Sequence, residues 1–138
     1  MTPTDIPERL RHLAQFLPRL EAPAFDFGHW DGGETQPDGS ITMPYYVFSD
    51  QASELVAALP VMPGFAWPEW MKTEEAQMLV ADLAQVAEAS ADQLVRLTTA
   101  IVRSDRFTEG SIAGAFESGL LQAIARRAQV LAASPETT

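Results

Sequence analysis

The chain has 138 residues, no cysteine, and 19 acidic against 9 basic residues, for a net charge of −10. That length sets one domain with a substantial core, and the lack of cysteine excludes disulfides, thiolate metal sites and cysteine nucleophiles. The acidity argues against nonspecific nucleic-acid binding, which needs Lys and Arg to displace counterions.

No apolar run reaches the roughly 20 residues that cross a bilayer. Residues 1–20 carry Asp5, Glu8, Arg9, Arg11 and Arg19, which do not make a signal-peptide core. These features predict a cytoplasmic protein without a membrane partner.

Helix-period leucines at Leu10, Leu13 and Leu17 predict a first helix over Pro7–Leu17, capped by Thr4 or Asp5 and stopped by Pro18. Residues 25–48 read as β structure. Phe25-Asp26-Phe27-Gly28-His29-Trp30 alternates, Asp31-Gly32-Gly33 and Pro37-Asp38-Gly39-Ser40 are turn chemistry, and Tyr45-Tyr46-Val47-Phe48 is β-prone. Pro44 belongs at an edge or bend. A hairpin or three-stranded antiparallel sheet is expected here, packed against helices.

A helix from Ser49 or Asp50 to about Leu59 follows, closed by Pro60 and Pro63-Gly64. A short helix is expected at Trp67-Pro68-Glu69-Trp70, then helical spacing through Met78, Leu79, Asp82, Leu83 and Val86. Ser90 caps a further helix with Leu94, Leu97, Thr98, Ile101 and Val102 on its apolar stripe. After a corner at Asp105–Gly110 a helix runs to about Ser118, Gly119 breaks it, and a last helix carries Leu120, Leu121, Ile124, Val130 and Leu131. The fold class is therefore α+β and helix-dominated, in one domain over residues 1–138 with a core at about 5–132 and a frayed tail at 133–138.

Several of these runs carry a resemblance. They are Thr99–Gly110 with Ala115–Gly119 and Arg126-Arg127, Phe27–Trp30, Ile41–Tyr46, and Trp67–Trp70. Together, over about residues 8–130, the chain resembles a family of small bacterial and phage-borne proteins known as domain of unknown function 6508. The resemblance implies one intact domain and brings no catalytic residue with it.

The densest charged cluster is Arg103, Asp105, Arg106 and Glu109. Guanidinium forks suit phosphate or carboxylate, so this is a candidate binding set. Its structural alternative is a corner in which Arg103 and Arg106 pair with Asp105, Glu109 or Glu117. His29 has no metal spacing around it. Its place beside Asp26 and Asp31 suits a general base, and the alternative is a hydrogen-bonded structural histidine. The acids at 26–38 do not follow a calcium-loop pattern, so no metal site and no cofactor are expected. Trp30, Tyr45, Tyr46, Trp67 and Trp70 concentrate in residues 25–70 and supply either core or contact anchors.

The charge is uneven. Residues 22–118 hold 4 basic and 15 acidic residues, net −11. The leading expectation is a non-enzymatic binding module for a protein partner with a basic surface, such as a phage-type inhibitor of a nucleic-acid-handling complex in the anti-defence or anti-CRISPR class. The alternative is a small hydrolase or anion-binding enzyme with a pocket near Arg103, Arg106 and His29. Oligomeric state is not encoded in any of these patterns.

Overall fold

The computed structural model describes residues 6–23, 25–105 and 110–133. Among them lie nine helices and one two-stranded antiparallel sheet, a helix-dominated α+β fold. The helices are α1 (Ile6–Ala14), α2 (Leu17–Leu20), α3 (Asp50–Ala58), α4 (Trp67–Met71), α5 (Glu74–Ala81), α6 (Leu83–Val86), α7 (Ala91–Ser104), α8 (Ser111–Glu117) and α9 (Leu120–Ala133). The strands are β1 (Gly28–Asp31) and β2 (Tyr45–Phe48). Arg106–Glu109 and residues 134–138, where most of the frayed tail is expected, lie outside the described residues. Ala133 of that expected tail is the last residue of α9.

Side-chain caps open four of these helices, α3, α5, α6 and α7. Ser49 Oγ accepts from the Ala52 N–H to open α3, and Thr73 Oγ1 accepts from the Ala76 N–H to open α5. Ser90 and Gln93 form a reciprocal capping box at α7, a device worth about 1 kcal/mol or more. Two expected helices divide. Pro18 lacks an N–H and fits a first turn, so a separate short helix starts at Leu17. Asp82 does not face inward on a continuous helix. Its backbone is extended, and its carboxylate accepts from the Ala84 N–H at 3.0 Å, ending α5 and starting α6.

The core forms around α7 and α9. Leu94, Val95 and Leu97 of α7 and Ile124, Ala125 and Ala128 of α9 are sealed from solvent. Helix α1 lies along α9 through Leu10 and Leu13, and α4 and α8 lie against α7. Truncating such leucines to alanine costs about 2–5 kcal/mol. Two buried hydroxyls fasten the link after α3 to α7. Thr98 Oγ1 donates to the Pro60 carbonyl at 2.7 Å, and Thr99 Oγ1 accepts from the Met62 N–H at 2.9 Å.

The sheet has two strands. β1 and β2 pair Gly28 with Phe48, His29 with Val47, Trp30 with Tyr46 and Asp31 with Tyr45. Residues 32–44 extend the hairpin outward through an isolated bridge between Thr35 and Ile41, with no third strand among the described residues. The base of the hairpin is clamped by aromatics. Phe27, nearly fully buried, stacks on Phe116 of α8 at 4.3 Å, and Phe25 meets the same ring edge-on at 5.9 Å. Phe48 and Tyr46 close the cluster.

Candidate functional site: an acidic aromatic arm

Beyond that clamp the hairpin stands out as an arm. Its ladder is closed by the Gly33 N–H donating to the Thr42 carbonyl at 2.8 Å and the Thr42 N–H donating to the Glu34 carbonyl at 3.0 Å. The tip is stiffened locally. The Ser40 N–H and Oγ–H both donate to Asp38 Oδ1, which holds the Asp38 carboxyl below its ordinary pKa, the hydroxyl bond being the larger cause. Asp38 therefore keeps its charge to a lower pH than an ordinary aspartate. Asp31 accepts from the Gly32 N–H at 2.7 Å.

Large apolar side chains lie in the open along this arm. Met43 is 82% exposed, Ile41 66%, Trp30 50% and Tyr45 47%. A protein surface rarely exposes neighbouring large apolar groups without use. Strand alternation places Trp30 with Tyr46 and Phe48 on the inner face, and His29, Asp31, Tyr45 and Val47 on the outer one. Tyr46 is half-buried under Trp30, with ring centroids 5.5 Å apart and edge-on. Its phenol pKa is raised, first by burial and then by the negative charges of Glu117 and Asp26.

The arm meets the charged corner. Gly110 has φ +94°, and a Cβ there would come within 2.6 Å of the Trp30 indole, so the indole lies flush on this glycine. The fold thus brings together Trp30, Tyr46 and Gly110, which are far apart in sequence. Asp105 acts as a fastener here. Its Oδ1 accepts from the Ile112 N–H at 3.1 Å and so caps the first turn of α8 across the corner. Arg103 is partly buried and makes no ion pair among the described residues, so the expected pairing of Arg103 with Asp105 or Glu117 does not form. Arg106 and Glu109 fall outside the described residues.

Two expected site residues sit elsewhere. Trp70 is 7% exposed and donates its indole N–H to Glu75 Oε2 at 2.9 Å, so it is a core residue rather than a surface anchor. Glu75 also accepts from Gln93 Nε2 at 2.7 Å and lies 3.6 Å from Arg96, and its pKa is lowered mainly by the Gln93 and Trp70 bonds. Trp67 is partly buried and lines a separate apolar pocket with α7 and α8. His29, on the outer strand face, points away from the corner on which Trp30 rests. Sequence reading did not single out Ile41 and Met43, because a stretch that reads as β structure does not show which of its side chains lack cover. It also missed Phe116, whose partners Phe25 and Phe27 lie at the base of the hairpin on another part of the chain.

The electrostatics are one-sided. From residue 20 to residue 71 there is no Lys or Arg, and there are eight carboxylates, Glu21, Asp26, Asp31, Glu34, Asp38, Asp50, Glu54 and Glu69. Arg19 is the nearest preceding cation and is drawn to Glu54 at 3.1 Å. No group of three His, Asp or Glu among the described residues is placed to hold a metal ion.

A helix-dominated α+β domain bearing an acidic, aromatic β-arm is the class that this fold and site define. Within it, the chain belongs to the Family of unknown function (DUF6508), whose model matches residues 6–134. No curated protein and no solved structure matches the chain.

Proposed function

We propose that this protein is a non-enzymatic binding module whose arm docks on a basic face of a protein partner. The observation that carries this reading is the exposure of Met43, Ile41 and Tyr45 among Asp31, Glu34 and Asp38, on a stretch of chain without a single Lys or Arg. The apolar side chains supply anchors, and the carboxylates supply orientation and association rate. The same charge opposes pairing of two arms with each other, which favours a partner of opposite sign. An inhibitor of a nucleic-acid-handling complex, including the anti-defence or anti-CRISPR kind, fits this chemistry, because carboxylates on a rigid arm can occupy a surface built for phosphates.

The test is an affinity capture from bacterial lysate with the full chain, run at low and high salt, beside a Met43→Asp, Tyr45→Ala variant. The expected result is a basic partner held by the wild type, released as salt rises, and lost from the variant while its circular dichroism is unchanged. Fluorescence anisotropy with labelled duplex DNA and single-stranded RNA should show no binding at micromolar protein and about 150 mM salt. Micromolar nucleic-acid binding, or a partner retained equally by the variant, would overturn the reading.

A further inference from the structure

A pocket of about 270 Å³ opens between α4, α5, α7, α8 and the start of α9. Its walls are Trp67 and Met71 of α4, Leu97 and Ile101 of α7, and Ala115 and Leu120 beyond them. The lining has no ionisable side chain among the described residues. Among the described lining residues a charged ligand would lose hydration without gaining a partner of opposite charge.

Gly114 identifies the pocket as more than a packing fault. It sits inside α8, where glycine weakens a helix relative to alanine. Its backbone is not in the left-handed region, so the conformation does not call for glycine. A Cβ at this position would meet nothing within 4 Å, so close packing does not call for it either. Gly114 is itself exposed and is one of the lining residues, so what the missing side chain leaves open is the mouth of the pocket.

Three serines, Ser104, Ser111 and Ser118, line the pocket. Ser118 Oγ already donates to the Ala115 carbonyl at 3.3 Å and accepts from the Leu120 N–H at 3.4 Å, so of Ser104 and Ser118 it is Ser104 that gives the pocket a preference. Ser104 lines it, and its hydroxyl proton is committed to the Ile101 carbonyl at 3.1 Å. The Ser104 oxygen therefore offers lone pairs to the pocket and no proton. A ligand that brings an N–H or O–H matches it, and one that brings only acceptors does not.

We propose that this pocket binds a small, uncharged aromatic molecule with one hydrogen-bond donor, of the size of an indole or a naphthol. An apolar cavity of about 150 Å³ accommodates benzene, so the larger space here accepts a fused bicycle. The site is separate from the arm, and the inference stands whether or not the arm binds a protein.

The experiment is an amide NMR titration of the full chain with indole and with benzofuran, which has the same shape and no N–H. Amides of Ile101, Ser104 and Gly114 should shift saturably with indole, with a Kd of about 0.1–1 mM for a ligand of so few atoms. Benzofuran should bind about fivefold more weakly, the loss of one neutral hydrogen bond. Gly114→Leu covers the mouth and should abolish binding. Ser104→Ala should keep binding and remove the preference for indole, which tests the site even if Gly114→Leu folds poorly. No saturable shift up to about 10 mM indole, or equal binding by folded Gly114→Leu, or an indole preference that survives Ser104→Ala, overturns the proposal.

Discussion

Gly110→Ala should be among the more damaging conservative substitutions in this protein, and its cost should depend on Trp30. Two separate penalties act at this glycine. Its φ of +94° lies where a Cβ meets backbone, which costs about 1–2 kcal/mol. The added Cβ would also lie 2.6 Å from the Trp30 indole, forcing the ring off its seat for a further ~1–3 kcal/mol. Trp30→Ala alone removes a half-exposed ring whose buried portion, roughly 100 Å², contributes at most about 2.5 kcal/mol. In the double variant the clash is gone, and the backbone penalty and the loss of the ring's own packing remain. The two substitutions should therefore be non-additive, with a coupling equal to the relieved clash, about 1–3 kcal/mol in the direction of mutual relief. Chemical denaturation followed by far-ultraviolet circular dichroism gives all four stabilities. Additivity within about 0.3 kcal/mol would refute the docking of the arm on the corner.

Thr99→Val leaves the Met62 N–H without its partner and should cost about 1–3 kcal/mol by the same assay, whereas Thr99→Ser should recover most of it. Ser90→Ala breaks the capping box and should lower stability by about 1 kcal/mol, visible as a fall in thermal midpoint of several degrees. Glu75 has a folded-state pKa below 4.5, so its contribution is complete above that unfolded value and is lost as pH falls through the folded one. Its side chain is about a third exposed, so screening limits the effect to about 1 kcal/mol. The gap in stability between wild type and Glu75→Gln should be constant near neutrality and narrow on acidification below pH 4.5 in an acid-denaturation series. A gap that widened toward acid would reverse the assignment.

Local chemistry made much of this fold readable. Ser49, Ser90 and Gly119 mark helix boundaries because a hydroxyl cap or a left-handed glycine acts within a few residues of itself. The hairpin was legible from alternation and its turn residues. The break at Asp82 was not, since an Asp on an apolar helical period reads as part of one continuous helix until its carboxylate is seen on the Ala84 N–H. The site was harder to read. Trp70 and Trp30 look alike in sequence, yet one donates its N–H to Glu75 in the core and the other covers Gly110 at the surface. The difference depends on partners that are distant in the chain or on another element, which periodicity does not carry.

The pairing of α1 with α9 constrains the order in which this molecule can assemble. Leu10 and Leu13 find their cover on a helix that the ribosome completes more than a hundred residues later, and Glu21 waits 105 residues for Arg126. Closing so long a loop is entropically slow, so the first helix is exposed throughout synthesis and docks late. Chains cut short before Leu120 would present that leucine stripe uncovered, a surface that chaperones and proteases recognise. Emergence of α9, rather than of the early segments, then becomes the event that licenses folding.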